Sequence, residues 1–409
     1  MTHSAITGSR GPLRAGFRRV TRDNEIANEA SSSILACIAS GLATNRADLA
    51  RHLGLAPSTV TVKVAELIAS GLLEDAGNGD PTGGRRARIL RLMPGAGHIL
   101  SAALGRHHAR LAVLDLSGAL IEARQIAIDV ADGPEVVLEA LTQGWYELLG
   151  PISPASVHGV GVSLPGPVST ATGSVDSPAA MPGWHRFSVT DWLSERWGVP
   201  AVADNDANAM ALGEYALISA REAAGHDHKR PQSLLFLKAG SGVGCGLILH
   251  GQLYRGATAL AGDISHTRVS AAGENPCNCG NTGCLETISG AASIVAELNR
   301  VGIPAQQTAD VVRLVHDADA QATTRVRAAG RLLGETMSAV INFVNPEIVI
   351  LGGLLSTMEP FVAAVRSQLY ESCHPLATRS LRIEQSEAGI DAGVLGAGQL
   401  ALRHVLSAL

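Results

Sequence analysis

The chain has 409 residues, 46% hydrophobic and 17% charged, with 45 glycines and a net charge of -5. That length predicts two or three compact units, and the apolar content excludes a disordered chain. No uncharged apolar run reaches the ~18 residues of a membrane span, and the leading MTHSAITGSRGPLRAG lacks the core of a signal peptide, so a cytoplasmic protein with no membrane partner is expected.

The charge is unevenly shared. Residues 1–93 hold 12 Lys/Arg against 8 Asp/Glu, or +4; the remainder holds 20 against 29, or -9, and the two sum to -5. A basic leading segment on an acidic body predicts a module that faces nucleic acid. Residues 1–24 scatter Arg10, Arg14, Arg18, Arg19 and Arg22 among Gly, Ser and Pro and read as a flexible basic arm.

From about Asn28 the pattern turns helical, with Ile34, Leu35, Ile38 and Leu42 on one face and Gly41 closing the run. Thr44 then suits the N-cap of a short helix whose inner face is Leu49, Ala50 and Leu53, turned at Gly54. Pro57 opens a third helix with Val60, Val64, Leu67 and Ile68 inward. The following GLLEDAGNGDPTGGRRARILRL reads as two strands around a loop that carries Arg85 and Arg86. Residues 25–93 therefore predict a winged helix-turn-helix. In that geometry the third helix enters the major groove with Ser58, Thr59, Thr61 and Val62 foremost, and the wing arginines reach phosphate or the minor groove. A three-helix module for protein contacts alone would not call for the wing.

From about His98 the chain alternates strands, glycine turns and amphipathic helices: a hairpin through residue 129, a helix from Pro134 to Leu149, and the strand VHGVGVSLPGPV. VPAVADNDANAMALGEY predicts a strand followed by a helix that opens on acids and amides. SLLFLKAGSGVGCGLILHGQLYRG is a second glycine-turn hairpin that echoes the first, so an α/β body of two related lobes is expected. His266, Cys277, Cys279 and Cys284 supply one imidazole and three thiolates, a closed set that suits one structural zinc per chain and leaves no position for water.

The body from about residue 96 to 409 resembles the repressor, open-reading-frame and kinase (ROK) family, of the actin, hexokinase and ribonuclease H-like fold class, and the winged module matches its repressor branch. The pieces are SLPGPV at 163–168, DNDANAMALGE at 204–214, AGSGVGCG at 239–246, AGDISH at 261–266, CNCGNTGCLE at 277–286 and ILGGLLS at 350–356. The resemblance implies lobe I at 96–205, completed by a C-terminal helix at 391–409, and lobe II at 206–390 with the zinc loop. It makes Asp206 the match of the base that takes a sugar hydroxyl proton in kinase members, Asn205 a sugar ligand, and Asp263, His266 and Glu286 sugar-contacting positions. AGSGVGCG and ILGGLLS match a phosphate turn and an adenosine-side loop.

One turn departs from the kinase pattern. Kinase members carry Asp-x-Gly-Gly-Thr where this chain has Ala103, Leu104, Gly105, Arg106 and His107, followed by His108. The acid that helps hold magnesium is alanine, and a glycine that admits phosphate to the backbone is arginine, so the charge on a transferring phosphoryl group would be poorly stabilised. Asp263 stands where Glu is usual, and SPAAMPGW at 177–184 lacks the customary Asn. The expectation is a sugar-responsive transcriptional regulator, most plainly a repressor, that binds operator DNA as a homodimer or homotetramer. In it Asp206 binds sugar and does not catalyse. The competing reading is an ATP-dependent sugar kinase with an accessory DNA module, and a third has the body answer to a protein partner.

Overall fold

The computed structural model describes residues 22–39, 41, 43–78, 88–176, 181–223 and 230–408. Three helices and a two-stranded sheet form the N-terminal unit: α1 (Arg22–Ala39), α2 (Arg46–Leu53), α3 (Pro57–Ala69), β1 (Leu73–Asn78) and β2 (Arg88–Leu92). Helix α1 starts at Arg22, so the last residues of the expected arm are helical. The stretch RDNEIAN is polar nearly all round and carries no apolar period by which to place it. The N-cap of α2 is Asn45, whose side chain accepts from the Asp48 amide at 3.0 Å. Thr44, expected in that role, instead gives its carbonyl to the Leu90 amide at 2.7 Å and ties the cap to β2. Pro57 occupies the first turn of α3, where no intrahelical partner for its missing N–H is needed. β1 and β2 pair antiparallel, Leu73 against Leu92.

Lobe I is built on a five-stranded sheet of β3 (His98–Leu104), β4 (His108–Asp115), β5 (Leu120–Ala127), β6 (Val157–Leu164) and β9 (Ala201–Asn205), in the order β5-β4-β3-β6-β9. The first three strands form an antiparallel meander; β6 and β9 add in parallel. Helix α4 (Pro134–Leu149) covers one face with Val137, Leu138, Leu141, Trp145 and Leu148, and the Trp145 indole donates to the Ser101 carbonyl at 3.0 Å. A small sheet of β7 (Val168–Ser169) and β8 (Ser174–Val175) and helix α5 (Val189–Trp197) complete this side.

Lobe II repeats the plan. Helix α6 (Asp206–Ala223) leads into β10 (Ser233–Ala239), β11 (Val243–Leu249), β12 (Gln252–Leu253), β13 (Ile348–Gly352) and β14 (Arg382–Gln385), ordered β12-β11-β10-β13-β14. Again an antiparallel meander is extended by two parallel strands. Its helices are α7 (Glu286–Ser289), α8 (Ala291–Arg300), α9 (Thr308–His316), α10 (Ala320–Val344), α11 (Glu359–Ser372) and α12 (Pro375–Thr378), and α13 (Ala392–Ala408) follows β14. The 25-residue α10 buries Ala322, Val326, Ala329, Leu333, Met337 and Ile341 at three- and four-residue intervals.

Helix α13 joins everything. It lies on β3, β6 and β9 of lobe I, along α6 of lobe II, and against α1. Ile34, Leu35, Leu49, Val60 and Leu90 of the N-terminal unit share one core with Ile99, Leu114, Leu402, Val405 and Leu406 of the body. Full burial of each such side chain contributes about 1.5–3 kcal/mol, so several together dock the unit rather than tether it. No described helix is long and apolar enough to cross a membrane.

Candidate functional site: a two-lobed cleft and its cysteine loop

The cleft centres on the corner where β9 passes into α6. Asp204, 1% exposed, is the last residue but one of the strand; its Oδ1 accepts from the Asn205 amide at 2.7 Å and from Asn208 Nδ2 at 3.0 Å. Its Oδ2 takes Arg255 Nε at 2.8 Å and Nη2 at 2.7 Å. Arg255 follows β12, so this ion pair holds the loop after β12 against the lobe I strand. Asn205 caps α6, its Oδ1 accepting from the Ala207 amide at 2.9 Å, while Nδ2 donates to the Gly166 carbonyl at 3.0 Å. The expected sugar ligand Asn205 thus also shapes the corner. Asp206 opens the helix, its side chain 13% exposed, and accepts from Lys238 Nζ of β10.

The glycine turn between β10 and β11 lies beside this pair. Gly242 leaves room for Glu286, whose Oε1 would be 2.9 Å from a β-carbon there, and Gly246 packs on the Ala207 carbonyl, 2.4 Å from the same hypothetical atom. The backbone amides of Ala291 and Ala292 at the start of α8 are taken by the Gly240 and Ser241 carbonyls at 2.9 and 3.0 Å. Asp263 is exposed and accepts from the Ser265 hydroxyl; the Gly262 carbonyl accepts from the Cys245 amide at 3.0 Å, which fixes this loop on β11. Asp206, Asp263 and Glu286 therefore all stand around the end of the β10–β11 hairpin.

Across the cleft is the turn between β3 and β4. The Gly105 amide donates to the His108 carbonyl at 2.8 Å, and the His108 ring folds over the glycine, 2.6 Å from where a β-carbon would be. Partial burial, then the Lys238 and His107 charges, hold the His108 imidazole below its usual range. His107 Nδ1 lies 3.2 Å from Asp129 Oδ2. The ring thus lies close against the glycine of this turn, and Ala103 stands at the position the kinase pattern gives to an acid.

The cysteine loop brings His266, Cys277, Cys279 and Cys284 together, with all four ligand atoms within 4.8 Å of one another. His266 Nδ1 is 3.5 Å from Cys277 Sγ, and Cys279 Sγ is 3.7 Å from Cys284 Sγ. Zinc bonds of about 2.3 Å to sulfur and about 2.05 Å to nitrogen would give tetrahedral edges of about 3.5 and 3.8 Å, so the spacing fits that ion. None of the thiols is in a disulfide. The Leu285 and Glu286 amides donate to the Thr267 and Ser265 carbonyls, each at 2.9 Å, which ties the cysteine loop to the segment bearing Asp263 and His266.

On the N-terminal unit, Ser58, Thr59, Thr61 and Val62 are all exposed on the outer face of α3, Val62 to 55%. The Thr61 hydroxyl donates to the Pro57 carbonyl at 2.8 Å. Arg85 and Arg86, and residues 177–180 of SPAAMPGW, lie outside the described residues. Two residues that sequence reasoning passed over carry charge into the cleft, Lys238 and Arg255. The signal for the first was a lysine in the otherwise apolar run SLLFLKAG.

Twin sheets of matching order around a cleft, each a meander extended by two parallel strands, define a mixed α/β protein of the actin-like, sugar-kinase-like class. The chain belongs to the ROK family, whose model matches residues 99–404. It is similar to the xylose repressor of Bacillus spizizenii, 26% identical over 365 residues that cover 88% of this chain and 92% of that one. A glucokinase of Halalkalibacterium halodurans is 29% identical over 309 residues, 71% of this chain and 91% of that one. Among solved structures, a ROK family transcriptional regulator described as a homologue of the Escherichia coli MLC protein shares the fold, with a TM-score of 0.72 at 23% identity, covering 93% of this chain and 97% of that one.

Proposed function

We propose that this protein is a sugar-responsive transcriptional repressor of carbohydrate uptake or catabolism genes, acting in the cytoplasm as a homodimer or homotetramer. The N-terminal unit is a winged helix-turn-helix: α3 reads operator DNA through Ser58, Thr59, Thr61 and Val62, and the wing between β1 and β2 brings Arg85 and Arg86 to the backbone. The cleft binds the sugar with Asn205, Asp206, Asp263, His266 and Glu286. Zinc on His266, Cys277, Cys279 and Cys284 fixes the loop that presents three of them.

The observation that carries this reading is the shared core of the N-terminal unit and α13. A ligand alters DNA affinity only by binding two conformations unequally. Helix α6 begins at Asp206 in the cleft and packs along α13, which reaches into the N-terminal unit, so a lobe movement on sugar binding is passed to α3. The extent of the matches agrees: the repressor relative aligns with 88% of the chain, the glucokinase with 71%.

Against phosphoryl transfer stand the His108 ring over the first turn and the Lys238 ammonium on Asp206. The kinase reading is favoured by Asp206 and the second glycine turn alone. Fluorescence anisotropy on the protein's own promoter DNA, titrated with sugars and sugar phosphates while ATP consumption is followed, tests both. One sugar that shifts DNA affinity without ATP turnover is expected; sugar-dependent ATP turnover would put the kinase first.

A further inference from the structure

Lys238 precedes the second glycine turn by one residue, and its ammonium is bound to the carboxylate that receives the sugar hydroxyl in the proposed function, on which this inference rests. Its cross-strand neighbour on β11 is Gly244, and Gly240 would place even a β-carbon 3.8 Å from Lys238 Cε. With side-chain exposures of 23% for Lys238 and 13% for Asp206, the pair is desolvated on most sides yet still accessible.

A hydroxyl is donor and acceptor at once; a carboxylate only accepts and an ammonium only donates. A sugar hydroxyl that donates to Asp206 therefore meets, in the same place, a donor for its own lone pair. A hydroxyl does both through a single oxygen atom. A deoxy carbon satisfies neither, and an amino group is repelled by the lysine. A phosphate ester brings a charge of about -1.5 to -2 at neutral pH against Asp206, with Asp263 and Glu286 around the same hairpin end. The Lys238 ammonium is already paired with Asp206, and burial holds the nearby His108 imidazole below its usual range.

We infer that Lys238 is a ligand-binding residue of the cleft, and that the Lys238–Asp206 pair selects an uncharged sugar with a free hydroxyl over the phosphate ester or deoxy form of the same sugar.

The test is calorimetric titration of the full chain with D-glucose, N-acetyl-D-glucosamine and N-acetyl-D-mannosamine, each with its 6-phosphate and 6-deoxy analogue, on the unmutated protein and on Lys238→Met. The free sugar that binds should do so at least tenfold more tightly than its phosphate or deoxy form. Lys238→Met should weaken the free sugar tenfold or more and leave the deoxy analogue within twofold. Equal affinity of both proteins for the free sugar, or tighter binding of the phosphate to the unmutated chain, overturns the inference while the sugar reading stands. Failure of every sugar and ester to bind overturns both. Should Lys238→Met not fold, the ratio among the three forms on the unmutated chain decides.

Discussion

Gly396 of α13 meets α6 so closely that a β-carbon at this position would lie 1.7 Å from the Ala209 carbonyl oxygen. The relation is reciprocal, since a β-carbon on Gly213 would lie 2.1 Å from the Ala392 carbonyl. The two lobes are joined backbone to backbone along this crossing. Gly396→Ala must push the helices apart, at a cost of about 1–3 kcal/mol for overpacking. A lowered melting temperature is expected, together with a weaker response of DNA binding to sugar. An unchanged response in the destabilised variant would show that the crossing does not carry the signal.

Removing the partner of a buried charge is costlier than removing the pair. Asp204 is 1% exposed and its Oδ2 is bound by two guanidinium nitrogens, so Arg255→Met leaves a buried carboxylate half satisfied. The expected loss is about 3–5 kcal/mol. Urea unfolding of Arg255→Met beside Asp204→Asn/Arg255→Met would check it: the double variant should recover part of the loss, and a double variant as unstable as the single one would contradict the ion-pair account.

The cluster of His266, Cys277, Cys279 and Cys284, read as a zinc site in the proposed function, predicts one zinc per chain by elemental analysis. Cys279→Ser or a chelator should free the ion and loosen the segment from Ser265 to Glu286, so that sugar affinity falls while α-helical content is kept. Protein folded and fully sugar-responsive with no bound metal would contradict it.

Glu214 lies buried on α6, where desolvation pushes its carboxyl above the usual range against the pull of the Ser386 hydroxyl, the Ala388 amide and Arg221. A carboxyl whose folded value is raised lends its stability below the unfolded value near 4.5, and that contribution is lost as pH rises through the folded value. Glu214→Gln keeps an oxygen for both donors but cannot ionise. Relative to the unmutated chain it should therefore gain stability as pH is raised from about 4.5 to 8, read from denaturant midpoints. A constant difference across that range would mean the carboxyl stays neutral or is solvated throughout.

Much of this was readable beforehand, for physical reasons. The apolar period and a leading proline mark α4 from Pro134 to Leu149, and the strand–helix step at Asn205–Asp206 shows in the acids and amides that open the helix. The cysteine loop was legible because its ligands are close in sequence. What escaped depends on distant partners. Lys238 meets Asp206 across 32 positions and Arg255 meets Asp204 across 51, and no local pattern records such pairs. The cap of α2 went to Asn45 because the Thr44 carbonyl was claimed by β2, a contact local propensity does not contain.

Helix α13 also sets an order of assembly. Synthesis runs from the N-terminus, and domains generally fold as they emerge. Here a unit made before both lobes shares its interior with Leu402, Val405 and Leu406, which are made after them. Until those side chains arrive, Ile34 and Leu35 lack much of their burial. A chain that stops short of α13 therefore carries α3 on an unfinished base. On the proposed function, a fragment that lacks α13 would hold a promoter poorly, and the cell is spared repression by fragments that no sugar can release.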